Sequence, residues 1–436
     1  MSSDLRTSFK KIMRLINTLM PFATARVIPA SLNLIAIPII LRNTGADTFG
    51  LITIILSFLA IQAIADLGVI NSFLPIFVRK LQNNDLEEAK SIYLSTIIRI
   101  FCSSSLFLAL SVPAVMIFLR KANTESYKEI ITEFNFTIYI LAFSTILAGL
   151  VPFTNCILLV FEKNRLSSIL NSISNSAVAL IMIVTSFMEA PIVPMTFGIV
   201  FTPIIISICT LIWISKKNDL FNFNSFKWHF SYFGFRTQFG NWIIQVSAIL
   251  SVQFDAIILS LYSDSSEVAR YGVIAKVFLF VVTIYSWATA QENIDTIKID
   301  PQGGFAKVDN DSIRFIRRLV IYTSVVIIPL AVILRPVLGL LSGKILKFSY
   351  FEIVISITWC LSLLVTTKIS RILFAKGIYS GYFQISMLVS LVNLAVTFLL
   401  CSLGLGMLGP LIATIFSSFL VYLPCFLYLH RRNSPR

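Results

Sequence analysis

Six ionisable side chains fall inside long apolar runs of this sequence: Arg26, Asp66 and Arg99 in its first half, Asp255, Lys276 and Arg335 in its second. An ionised group is costly in hydrocarbon, so it turns toward protein or water, and its default reading is functional. Four of the six are basic and two acidic, so a cavity lined by them would attract an anion. A desolvated phosphate or pyrophosphate needs such partners: arginine grips it bidentately, and lysine acts as a point charge. An organic cation would need the reverse bias. Counted from the ends of the runs, the first three residues lie toward the cytoplasmic third, and the second three at similar depth toward the opposite face. Asp66 could neutralise either arginine of its half. Bland readings stand beside these: Arg26 is about one turn inside and can snorkel to the headgroups, and Lys276 with Asp255 can be a structural ion pair.

One run carries more. Asn241, Gln245, Ser251 and Asp255 recur at helical spacing, within roughly a 120° arc of one helix face and along about 20 Å of it. Ser247 and Gln253 fall off that arc on either side. A hydrogen-bonded helix seam would explain part of the stripe, but an ionised end favours a hydrated cavity. Shorter stripes pair Gln62 with Asp66, Arg26 with Asn33, and Ser168 with Asn171 and Asn175. Asn241 and Gln245 are therefore candidate cargo contacts beside Arg26, Arg99, Lys276 and Arg335. Asp66 and Asp255 are candidate gates or couplers to a proton or sodium gradient.

The elements that must position these groups are membrane helices. Hydrophobic residues make up 57% of the 436 positions and charged ones 13%, more apolar surface than one soluble core can bury. The spans run at about 22 to 41, 49 to 73, 92 to 119, 133 to 161, 167 to 188 and 192 to 215, then at about 238 to 261, 269 to 291, 319 to 343, 352 to 374, 379 to 402 and 407 to 429. The expected fold is an all-α polytopic membrane protein, twelve transmembrane helices in two six-helix bundles around a central cavity. Its segments are a cytoplasmic amphipathic stretch at 1–21, bundles at 22–215 and 238–429, a cytoplasmic connecting loop at 216–237 and a cytoplasmic tail at 430–436. Asp85 and Glu88 have capping-box spacing just before the third span.

The net charge of +14 is a topology signal. With the N-terminus in the cytoplasm, roughly 24 Lys/Arg fall in cytoplasmic segments, about 7 opposite and about 4 inside spans. No basic and aromatic surface suits nucleic acid. The six cysteines lie in separate apolar runs without metal-type spacing, and His229 and His430 are the only histidines, which argues against a metal site and against histidine acid/base chemistry in the membrane. No catalytic residues and no cofactor are expected.

A tight hairpin opens the chain: Ile39-Ile40-Leu41, a polar turn, then Phe49-Gly50 and a second apolar run ending at Asp66. Ile257-Ile258-Leu259, a polar turn, then Tyr271-Gly272 echoes it. Because six is even, both copies enter from the same face, as parallel repeats about an axis along the membrane normal. Gly45 and Phe49-Gly50 are expected to shape the turn.

Arg42, Gly45, Phe49-Gly50 and Asp66-Leu67-Gly68, together with the stretch from Asp255 to Tyr271-Gly272, resemble the polysaccharide flippases of bacterial O-antigen clusters, the Wzx type. The likeness covers nearly the whole chain by architecture. It implies the multidrug/oligosaccharidyl-lipid/polysaccharide exporter fold, a bacterial inner-membrane location with both termini cytoplasmic, and an undecaprenyl-pyrophosphate-linked oligosaccharide as cargo, moved to the periplasmic leaflet. It implies membrane lipid, and an O-antigen polymerase and chain-length regulator, as partners. One departure is Trp287-Ala288-Thr289-Ala290-Gln291, where such proteins often carry a proline. The rivals are an ion-coupled small-molecule antiporter of the same fold and a polytopic O-antigen polymerase or ligase. The positive bias argues against the first, and the lack of a large outer loop against the second.

Overall fold

Backbone groups inside a bilayer must pair within their own segment, which leaves helices as the solution for apolar runs of this length. The computed structural model describes residues 3–121, 131–161, 163–188, 190–218, 220, 235–250, 253–288, 327–375 and 379–427, and every regular element among them is helical. The first half comprises α1 (Ser3–Gln62), α2 (Val69–Gln82), α3 (Leu86–Lys121), α4 (Ile131–Ala148), α5 (Leu150–Val160), α6 (Asn164–Phe187) and α7 (Ile192–Lys217). The second comprises α8 (Phe235–Leu250), α9 (Phe254–Tyr262), α10 (Ser265–Ala288), α11 (Ile327–Leu341), α12 (Tyr350–Ala375), α13 (Tyr379–Ser402) and α14 (Leu408–Phe416), which runs on through a π-helical stretch at Ser417–Tyr422. Nine stretches among the described residues are long and apolar enough to cross a membrane. Gly45 divides one of them in two, and α8 with α9, and α11, supply the rest of the expected twelve.

The 60 residues of α1 would reach roughly 90 Å as one rod, about three times the hydrocarbon thickness. Gly45 breaks the rod, with φ 85° and ψ 174°, a conformation that a side chain would strain. The expected hairpin is therefore two helical arms about a single residue, and most of the polar stretch stays helical. The amphipathic segment at 1–21 continues into the first arm from Ser3 onward, and its side chains lie outside the described residues.

Two expected spans are interrupted. The second arm of α1 stops at Gln62, the chain turns through 63–68 with Leu67 at φ 51° and Gly68 at φ 77°, and α2 begins at Val69. The fourth span is split at Gly149 into α4 and α5. In the seventh, α8 and α9 flank residues 251–252, which lie outside the described residues, and the Gln253 N–H donates to the Ile249 carbonyl at 2.8 Å. Before α3, the Asp85 carboxylate accepts the Glu88 N–H at 3.4 Å, half of the expected capping box, while Glu88 turns to Lys80 instead.

Packing follows the two-bundle plan. Tyr93, Phe73, Phe77 and Phe153 centre an apolar core inside the first bundle, and Val365, Ile369, Tyr422 and Phe426 one inside the second. A larger core joins the halves: Ile40, Phe49 and Ile52 of α1 pack with Leu259 of α9, Val273 and Ile274 of α10 and Trp359 of α12. The α1–α10 contact is its spine.

Candidate functional site between the bundles

Among the described residues the halves meet closely where the two sequence echoes face each other. A Cβ at Gly50 would lie 2.4 Å from the Ser265 carbonyl oxygen, and one at Gly272 would lie 2.4 Å from Thr53 Oγ1. Gly50 is thus a point of backbone contact with the other bundle, and the turn-shaping role belongs to Gly45. Around this contact the Ser265 hydroxyl donates to the Asp47 carboxylate, and the Arg42 side chain packs over Gly343. These groups join the halves at one end of the seam, the outer one in the topology expected from the charges.

Lys276 lies one turn beyond Gly272 on the same face of α10. Its ammonium is buried, has no hydrogen-bond partner, and sits 4.8 Å from the centre of the Phe49 ring across the seam. A ring face attracts a cation but supplies no acceptor. A buried ammonium without an oxygen partner is costly, and an anionic oxygen arriving in the seam would relieve that cost.

Asp255 does not pair with Lys276. Its buried carboxylate accepts the Tyr271 hydroxyl at 3.2 Å and the Thr397 hydroxyl at 3.3 Å, tying α9 to α10 and α13. Two neutral donors hold it, so it retains capacity for a cation or a proton. On the same polar stripe, Gln245 buries an amide oxygen with no partner; the side chains of Asn241 and Ser251 lie outside the described residues.

Asp66 sits in the break between α1 and α2 and accepts the backbone N–H of Gly68 at 3.3 Å and of Ile70 at 3.0 Å. It satisfies the orphan donors at the start of α2, and no ion pair joins it to Arg99. Gln62 likewise donates to the Leu141 carbonyl at 2.8 Å and the Ser144 hydroxyl at 2.9 Å, so the Gln62–Asp66 stripe is spent on local structure. Asn171 pairs with Asn155 and Asn33 bonds the Pro29 carbonyl. Arg99 is half-buried on α3, and Arg335 is exposed on α11 with its guanidinium 4.3 Å from the Tyr350 ring centre. The side chain of Arg26 lies outside the described residues, although its backbone belongs to α1.

Sequence reasoning passed over Arg270, which bridges Glu267 of its own helix and Glu352 of α12. Glu267 also accepts the Met407 N–H at 3.0 Å, and Ser349 with Glu352 forms a reciprocal capping box on α12. The i,i+3 spacing of Glu267 and Arg270 and the S-x-x-E run at 349–352 were the available signals. Toward the other end, the Trp242 indole donates to the Ile64 carbonyl at 3.0 Å, linking α8 to the α1–α2 break.

Searched by sequence, the chain matches no protein-family model and no curated protein. Solved structures do match. An inward-facing multidrug resistance MATE family transporter of the MOP superfamily superposes with a TM-score of 0.75 at 14% identity, over 94% of this chain and 98% of that one. The likeness is one of fold. The lipid II flippase MurJ, in an inward closed conformation, superposes with a TM-score of 0.68 at 15% identity, over 94% of this chain and 87% of that one. An outward-facing MATE family transporter gives 0.58 at 13% identity, over 95% of each chain.

Proposed function

We propose that this chain carries an undecaprenyl-pyrophosphate-linked oligosaccharide, an O-antigen repeat unit, from the cytoplasmic to the periplasmic leaflet of a bacterial inner membrane by alternating access. The observation that carries this reading is the Lys276 ammonium, buried at the seam between the bundles without an oxygen partner. Arg99 and Arg26 in the first bundle and Arg335 in the second would engage the pyrophosphate in turn with Lys276, and Asn241 and Gln245 would solvate sugar. A lipid-linked cargo also accords with the likeness in fold to a lipid II flippase. Asp255 is the preferred coupling residue, since its carboxylate is held only by hydroxyls. That same carboxylate, with the likeness to MATE transporters, favours the second reading, an ion-coupled small-molecule antiporter.

The test is surface polysaccharide in cells whose own copy is deleted and replaced by variants at equal protein level. A charge-assisted hydrogen bond contributes about 1.5–3 kcal/mol, so Lys276→Gln is expected to cut long-chain product roughly ten- to hundredfold, and Lys276→Arg to retain most of it. Equal yields for the two variants would reject phosphate contact at Lys276. Unchanged polysaccharide in the deletion strain, with altered resistance to organic cations, would install the antiporter reading.

A further inference from the structure

We propose that the end of the first bundle where α6 begins and α7 ends holds the phosphate of an anionic diacyl membrane lipid, apart from the seam between the bundles. Trp213, in the last turns of α7, leaves 46% of its surface exposed. The Lys163 ammonium lies 4.5 Å from the centre of its ring and that of Lys217 lies 5.6 Å from it. A lysine at a membrane edge ordinarily snorkels into water. The Lys163 ammonium instead is buried against the indole with no hydrogen-bond partner, and among the described residues neither lysine forms an ion pair. Two like charges gathered on one ring repel each other, and an anion between them turns that repulsion into attraction.

Two further features select the ligand. Lys163 is the residue that precedes α6, no side chain caps that helix start, and the positive end of a helix favours an anion. Arg165 and Lys216 add exposed charge beside it. Leading away from the cluster, Ile169, Ile173, Leu180 and Val184 form one exposed face of α6, and Ile205 and Ile212 an exposed edge of α7. A free phosphate has no use for this apolar strip. A lipid whose headgroup meets the two ammonium groups lays its acyl chains along it, with the tryptophan at the interface where such rings concentrate.

The test uses the purified full chain in phosphatidylcholine nanodiscs doped with phosphatidylglycerol, with bound lipid counted by native mass spectrometry. Near a surface each lysine is worth enough that removing two should weaken retention of phosphatidylglycerol roughly 10- to 30-fold. The double variant Lys163→Gln with Lys217→Gln should show that loss. The double arginine variant should keep the lipid, and Lys344→Gln, at the other end of the molecule, should behave as the parent. Equal retention by the glutamine variant and the parent overturns the proposal. So does full displacement of the lipid by millimolar inorganic phosphate, which would assign the cluster to the free anion. Circular dichroism of the glutamine variant separates loss of the site from loss of the fold, and Trp213→Phe, which keeps an aromatic face, should lose less than Trp213→Ala.

Discussion

Gly50→Ala should open the seam. The added Cβ would stand 2.4 Å from the Ser265 carbonyl oxygen and 3.2 Å from its carbon, where carbon–oxygen contacts settle at about 3.3–3.6 Å. The obstacle is backbone on the first residue of α10, so no rotamer relieves it, and the helices must separate by about 1 Å. Overpacking of this kind costs about 1–3 kcal/mol. Each bundle keeps its own core, so the cost falls on the conformation in which the seam is shut. It would raise the open fraction roughly 5- to 150-fold. Spin labels at Asn43 and Ser402, both exposed and both at this end of the seam, should report a population at longer distance by double electron–electron resonance. Thermal unfolding of the same variant controls for global damage. An unchanged distance distribution at unchanged thermal stability would refute the reasoning, since the clash would then have been absorbed without cost.

Other expectations follow from neighbouring contacts. Gly272→Ala meets the Thr53 hydroxyl rather than backbone, so its effect on the same distances should be smaller than that of Gly50→Ala and should be reversed by Thr53→Ala. Glu352→Gln removes one partner of a largely buried Arg270 bridge and should cost about 1–3 kcal/mol, between exposed and fully buried pairs, read as a fall in thermal midpoint that Glu267→Gln deepens. Asp66→Ala removes the acceptor for two backbone N–H groups at the start of α2 and should cost about 1–2 kcal/mol. A loss of transport in Asp66→Asn without any fall in thermal midpoint would instead mark Asp66 as a coupling group.

The sequence carried the bundle plan because run length alone separates membrane spans from buried soluble helices. The opening hairpin was readable for the same reason, since two apolar runs, each long enough to span, flank a polar stretch too short for a domain. The role of Gly50 was not readable, because a glycine in a helix next to a turn says nothing about which distant backbone approaches it. Asp66 was singled out by the cost of intramembrane charge, but that rule does not see a helix break. Leu67 and Gly68 at positive φ expose backbone donors that a carboxylate can satisfy, and nothing in the apolar pattern marks the interruption. Lys276 was readable as a buried cation. Its place against Phe49 depends on how the second arm of α1 lies on α10, which only the assembled halves determine.

The contact of Gly50 with the Ser265 backbone would also make this end of the seam an electrical barrier in a transporter. A file of water threading between the bundles would let protons run down the membrane potential, at about 2.3 kcal/mol per charge per 100 mV. Long side chains meeting at a seam leave gaps that rearrange. A glycine laid against a carbonyl leaves no such gap, and the buried apolar shell of Phe49, Ile52 and Val273 around it offers water no partners. The small residues that let the halves approach would thereby also insulate them, with the Lys276 ammonium one turn farther along α10.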